Sequence, residues 1–144
     1  LIMIEINCHN DSNLSFLSKS IYNLSTLVLN EHNYSCAKIN IIIIDDNSLR
    51  EMKKKYLNED AFTDVIAFNI DQDPFEGEIY ISYDRVIDNA KMYNQKIEDE
   101  FKRVIIHGLL HLCGYEDSTI TEKKYMSKTE DVFLNKFTQT IISD

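Results

Sequence analysis

The sequence predicts an α+β domain, a small mixed sheet of about four strands packed with about five helices. Three observations predict it. Short runs, such as 37–44 with its isoleucines, have the composition of strands. Longer stretches, such as 97–112, repeat apolar residues at helical spacing. The two kinds of segment are interspersed over 144 residues with no repeat, low-complexity run or linker, so a single domain spans 1–144.

Residues 2–7 alternate apolar and polar side chains and read as the first strand. Leu14, Leu17, Ile21, Leu24 and Val28 recur at helical intervals and predict an amphipathic helix over 13–29. The β-branched run 37–44 is a buried central strand, stopped by Asp45-Asp46-Asn47. Ser48 and Glu51 have capping-box spacing and open a short helix to about Tyr56. A third strand over 64–70 and a fourth over 77–83 flank Asp71-Gln72-Asp73-Pro74, so the two form a hairpin. Asp84 is placed to cap a helix through Met92. The helix over 97–112 puts Phe101, Val104, Ile105, Gly108 and Leu112 at packing positions. A second capping box, Thr119 and Glu122, opens a last helix to about Phe137, with an apolar stripe of Tyr125, Met126, Thr129, Val132, Phe133 and Phe137.

The net charge of −9 argues against indiscriminate coating of nucleic acid or acidic membrane, while leaving room for a local basic patch. Lys53-Lys54-Lys55, Lys102-Arg103 and Lys123-Lys124 are the clusters able to build one. Cys8, Cys36 and Cys113 are odd in number and form no Cys-x-x-Cys pair, which suits free thiols in a reducing compartment. The opening Leu1-Ile2-Met3-Ile4-Glu5 has neither a basic leader nor a cleavage pattern, and no apolar stretch is long enough to span a bilayer. A cytoplasmic protein with no membrane partner is expected.

The chemistry concentrates in Ile105-Ile106-His107-Gly108-Leu109-Leu110-His111-Leu112-Cys113-Gly114-Tyr115-Glu116-Asp117. His107 and His111 are one helical turn apart, so their rings project about 40° apart around the axis and can share one divalent metal. Gly114 can stop the helix in the left-handed conformation and let the chain bring Glu116 or Asp117 back toward that metal. Cys113 is set about 200° round the helix from His111 and reads as a buried structural thiol. His9 and His32 fall in or beside expected loops and read as surface residues. The HExxH peptidases carry their glutamate base directly after the first histidine, and here that position is Gly108.

This stretch resembles the signature of the YbeY family of metal-dependent single-strand endoribonucleases, His-Gly-x-Leu-His-Leu-x-Gly-Tyr-Asp-His. The resemblance continues in order along the chain. Residues 42–46 are similar to the family strand that ends in paired aspartates. Thr63-Asp64-Val65-Ile66-Ala67-Phe68 and Gly77-Glu78-Ile79-Tyr80-Ile81 resemble its next two segments. The resemblance implies a zincin-like fold, one zinc ion per chain, and work on ribosomal RNA and the small ribosomal subunit, notably maturation of the small-subunit RNA 3′ end and ribosome quality control.

Two positions depart from the family pattern. Asp117 stands where the third ligand is usually histidine. Aspartate is a competent zinc ligand, and its charge should make a bound water less acidic. Leu57, after Tyr56, stands where the family commonly has an arginine, and leucine cannot bind phosphate. Lys53, Lys54 and Lys55 are the nearby candidates to meet RNA in its place. The reading is then a zinc-dependent RNA hydrolase in which His107, His111 and Asp117 hold the metal and Glu116 orients a histidine or a water. A peptidase-like metal hydrolase and a non-catalytic, ribosome-associated zinc-binding factor are the alternatives.

Overall fold

A computed structural model describes residues 3–143. It contains a four-stranded mixed sheet and five helices, the α+β class predicted. The strands β1 (Met3–Asn10), β3 (Cys36–Ile44), β4 (Val65–Gln72) and β5 (Phe75–Ser82) lie in the order β1-β3-β5-β4. The first three are parallel, and β4 runs antiparallel to β5 as the second arm of a hairpin. Ile2, where the first strand was expected to begin, lies outside the described residues. The expected isoleucine strand sits between β1 and β5, with Ala37, Ile39, Ile41 and Ile43 buried on one face.

The helices are α1 (Ser18–Glu31), α2 (Asp46–Leu57), α3 (Tyr83–Met92), α4 (Ile97–Leu112) and α5 (Ile120–Lys136). The sequence places the start of α1 too early. Ser15-Phe16 instead forms a two-residue strand, β2, paired antiparallel with Ile142–Ser143, β6. Leu14 and Leu17 continue the helical spacing, but pairing with the far end of the chain overrides that local preference. Two caps also move by a few residues. Asp45, not Ser48, caps α2, its carboxylate accepting from the Ser48 amide at 2.8 Å. Ser82, not Asp84, caps α3, accepting from the Arg85 amide at 3.1 Å, while Asp84 accepts from the Asp46 amide at 2.9 Å. The Thr119–Glu122 box forms as predicted, with bonds of 2.9 and 3.1 Å.

The helix α4 is the spine of the molecule, packing on α1, α3, α5, β4 and β5. Phe101, Val104, Ile105, Gly108 and Leu112 are all buried. Two glycines let it approach the sheet closely. A Cβ on Gly108 would lie 2.7 Å from Ile79 Cγ2, and one on Gly77 would lie 2.7 Å from Leu112 Cδ1. Both neighbours are buried branched side chains in a packed core, so even an alanine there forces a shift of the helix or the strand, at about 1–3 kcal/mol. The close fit fixes the height of the histidine turn above β5. On α5 the buried face is Met126, Glu130 and Phe133, while Tyr125 and Val132 of the expected stripe are exposed. A glutamate thus occupies the middle of an apolar face.

Candidate metal centre

His107 and His111 leave α4 side by side, and their Nε2 atoms are 3.0 Å apart. The helix ends at once. Gly114, at φ +102°, donates its amide to the His111 carbonyl at 3.0 Å, and the Tyr115 amide reaches the Leu110 carbonyl at 3.0 Å. This pair of bonds is the Schellman stop, which needs a left-handed residue where glycine stands. The reversed chain delivers Asp117, whose Oδ2 lies 3.4 Å from His107 Nε2 and 3.3 Å from His111 Nε2.

The other ring nitrogens decide what these atoms can do. His107 Nδ1 faces the Glu130 carboxylate at 2.6 Å, and His111 Nδ1 faces the Tyr115 carbonyl at 3.0 Å. Carboxylates and carbonyls only accept, so each Nδ1 carries its ring's proton. Each neutral ring therefore turns an Nε2 lone pair toward the other and toward the aspartate oxygen. With both rings neutral, three acceptors converge with no donor among them, an arrangement that a proton or a metal cation relieves. A tetrahedral ion with bonds of about 2.0–2.1 Å spaces the ligand atoms of one face about 3.3–3.4 Å apart, close to the triangle seen here. Two imidazoles and a carboxylate also match the donors that zinc accepts, and three ligands leave a fourth position open. The residues present therefore fit a zinc ion, and His107, His111 and Asp117 form a group able to hold a metal.

Charge around the centre is arranged in a chain. Glu130 is 4% exposed and accepts Arg103 Nη1 at 3.0 Å on its other oxygen, while Arg103 Nη2 reaches Asp131 at 2.8 Å. Burial opposes a charge on His107, but the hydrogen bond and charge of Glu130, followed by Asp64 and Asp117, outweigh it and raise its pKa above the usual 6.5. Burial likewise pushes the Asp64 carboxyl up, with the charge of His107 pulling the other way. Burial drives the Cys113 thiol up to about 12, and this cysteine stands outside the ligand group.

The remaining candidates lie elsewhere. Glu116 is exposed and borders a shallow hollow with Cys113, Gly114, Tyr115, Glu122 and Tyr125. Among the described residues it bonds to neither histidine. Lys53, Lys54 and Lys55 occupy the last turns of α2. Lys53 pairs with Glu59 at 3.3 Å, and the Lys55 amine sits 5.1 Å from the Tyr56 ring centre. Leu57 ends that helix, 45% exposed. None of these four lines the cavity of about 250 Å³ beside His107 and Asp117, whose walls are completed by Lys123, Met126, Ser127 and Glu130.

A family model described as Endoribonuclease YbeY matches residues 5–138. The chain belongs to the endoribonuclease YbeY family. An Endoribonuclease YbeY of Flavobacterium psychrophilum is 41% identical over 136 residues, covering 94% of this chain and 96% of the relative. One from Karelsulcia muelleri is 41% identical over 120 residues, covering 83% and 82%. The solution structure of a Thermotoga maritima protein superposes with a TM-score of 0.65 at 26% identity, covering 94% of this chain and 89% of that one.

Reading the sequence of this YbeY-family chain missed the groups that hold the ligands in place. Glu130 is 23 residues beyond His107, and its signal was a carboxylate at helical spacing between Met126 and Phe133, on a face that should be apolar. His32 was also misread. Its Nδ1 donates to the Val28 carbonyl at 2.7 Å, leaving Nε2 to accept from the Tyr115 hydroxyl at 2.8 Å. Tyr115 further stacks on Tyr125, ring centres 5.5 Å apart. Its carbonyl is the one that orients His111, so a histidine at the end of α1 steadies the metal turn through one tyrosine. His9, in contrast, is exposed on β1.

Proposed function

We propose that this chain is a zinc-dependent endoribonuclease that cuts single-stranded RNA during ribosomal RNA maturation. Its site of action would be the 3′ end of the small-subunit RNA, with a further part in ribosome quality control, in the cytoplasm. The observation that carries the reading is the convergence of three acceptor atoms, each histidine fixed from behind, in a member of the endoribonuclease YbeY family. His107, His111 and Asp117 would hold the metal. When bound, zinc supplies an acidified water and polarises a phosphoryl oxygen. The chain's own residues do the rest. Glu130 keeps the His107 proton on Nδ1, and the Tyr115 carbonyl keeps that of His111 on Nδ1. Both Nε2 atoms are then the ones turned toward the metal.

The peptidase alternative needs a base from outside α4. Gly108 offers no side chain, and both oxygens of Glu130 are engaged, one by His107 and one by Arg103. Lys54 and Lys55 are exposed and enter no ion pair among the described residues, which leaves the end of α2 free to meet an RNA strand outside the cavity. The test is cleavage of single-stranded and duplex RNA by zinc-loaded, chelated and His111→Ala protein, beside a peptide substrate. Single-strand cleavage that needs both zinc and His111 supports the reading. Zinc binding without cleavage of any RNA would favour the non-catalytic factor. Depletion of the protein in cells should leave small-subunit RNA with an unprocessed 3′ end, and normal 3′ ends would remove that part of the proposal.

A further inference from the structure

Leu57 carries no charge, and neither it nor the lysines of α2 line the cavity beside His107 and Asp117. The cavity beside the ligands is walled on one side by a single face of α5. Lys123, Met126, Ser127 and Glu130 follow one another at the i, i+3, i+4, i+7 spacing that aligns side chains on a helix. His107 and Asp117 complete the lining. Lys123 is the one lysine or arginine lining this space, and it enters no ion pair among the described residues. The other nearby cations are committed. Arg103 is forked onto Glu130 and Asp131, and buried Lys102 lies over the Phe137 ring at 5.4 Å. Lys124, one residue on, is rotated about 100° away and does not line the cavity.

We infer that Lys123 is the phosphate-binding residue of this site, its amine engaging a non-bridging oxygen of the RNA phosphodiester held at the metal ligands. The inference rests on the endoribonuclease reading and adds the group that receives the substrate's charge. Asp117 and Glu130 put two carboxylates on the cavity wall, and a phosphodiester brings a third negative charge. A lysine on a flexible stem, anchored in the first turn of α5, offers a mobile positive charge to the cavity that His107 and Asp117 line. The strand outside the cavity can still run along the lysines of α2. Lys123 concerns the single phosphate at the centre.

The experiment compares Lys123→Gln, Lys123→Arg and Lys124→Gln in the full chain. Each Gln variant removes one charge from neighbouring positions of the same helix turn, so a global charge effect would move both alike. Lys123→Gln is expected to lower kcat/KM on a single-stranded RNA by about 10- to 100-fold, the range for losing a hydrogen bond to a charged group. Lys123→Arg should recover most of it, and Lys124→Gln should match the parent. Zinc content should stay near one equivalent in all three. A second readout needs no metal. Binding of fluorescein-labelled oligouridylate to the zinc-free protein should lose about 0.7 from its log–log salt slope in Lys123→Gln alone. If the parent cleaves RNA and the two Gln variants behave alike, Lys123 is not the phosphate ligand and the nuclease reading stands. If the zinc-loaded parent cleaves no RNA, both fall together.

Discussion

His107 and His111 share a helix, a face and a proposed metal, yet they are held by different chemistry. His107 leans on a buried carboxylate, itself neutralised by Arg103. His111 leans on a backbone carbonyl in the turn that carries Asp117, and that turn is tied to α1 by a neutral hydroxyl–imidazole bond. The first brace supplies charge and affects how tightly a proton or a cation is held. The second supplies position and acts on two ligands together. Geometry alone would be met by two carbonyls, so the carboxylate at His107 marks the side where the centre's charge is set.

The comparison can be broken by removing one brace at a time. Glu130→Gln keeps the size of the side chain and removes its charge. Zinc affinity, measured by competition with a chelator, should fall about 10- to 100-fold, the usual cost of losing such a partner. The cobalt-substituted protein should change its visible spectrum as the ring is freed. An unaltered affinity would mean that Glu130 serves only to pair Arg103.

Acid should separate the two sides next. The raised pKa of His107 means that its protonated form stabilises the zinc-free fold, in full below about 6.5 and progressively less as pH climbs through the folded value. Zinc must displace that proton. A ligand that holds its proton more tightly gives up metal at a higher pH, so removing the Glu130 charge should move the release break downward relative to the parent. A release curve that Glu130→Gln leaves in place would remove His107 as the group that titrates first.

Tyr115→Phe tests the positional brace. It keeps the ring stacked on Tyr125 and deletes only the hydroxyl that reaches His32. The loss should be about 0.5–1.5 kcal/mol of stability with a drop of a few-fold in zinc affinity, smaller than for Glu130→Gln. An equal or greater drop would reverse the ranking of the two braces. The smallest effect is expected from Asp117→His. It exchanges one competent ligand for another, so zinc should be retained or bound somewhat more tightly. Loss of zinc in Asp117→His together with retention in Asp117→Ala would show that the carboxylate is not a ligand.

Much of this was legible in the sequence because it depends on local periodicity. The isoleucine strand and α4 are marked by composition and periodicity along their own length, and the β4–β5 hairpin and the capping box of α5 join residues close in sequence. What escaped depends on contacts distant along the chain. Ser15-Phe16 pairs with residues near the other terminus, so helical spacing at Leu14 and Leu17 misled. The Asp45-to-Ser48 region contains several groups able to cap, and spacing alone cannot choose among them. His107 and His111 could be named because one helix turn brings them together; the glycine stop left Glu116 or Asp117 as the third donor, and the family resemblance chose Asp117. Glu130 and His32 could not, because tertiary packing places them, and only the unusual glutamate on an apolar face hinted at the first.

The turn that bears Asp117 is anchored at both ends. Behind it stands the glycine stop at Gly114, and ahead of it the reciprocal bonds of Thr119 and Glu122 begin the next helix. The few residues between two such fixed posts make a strap cut to length. Its lettering can change, provided the side chain at 117 can still donate a lone pair. Its length cannot change so freely: one residue added or removed would leave α4 and α5 where the core holds them and carry the third donor out of reach. Drift in this family member should therefore run through substitutions in the strap long before it runs through insertions.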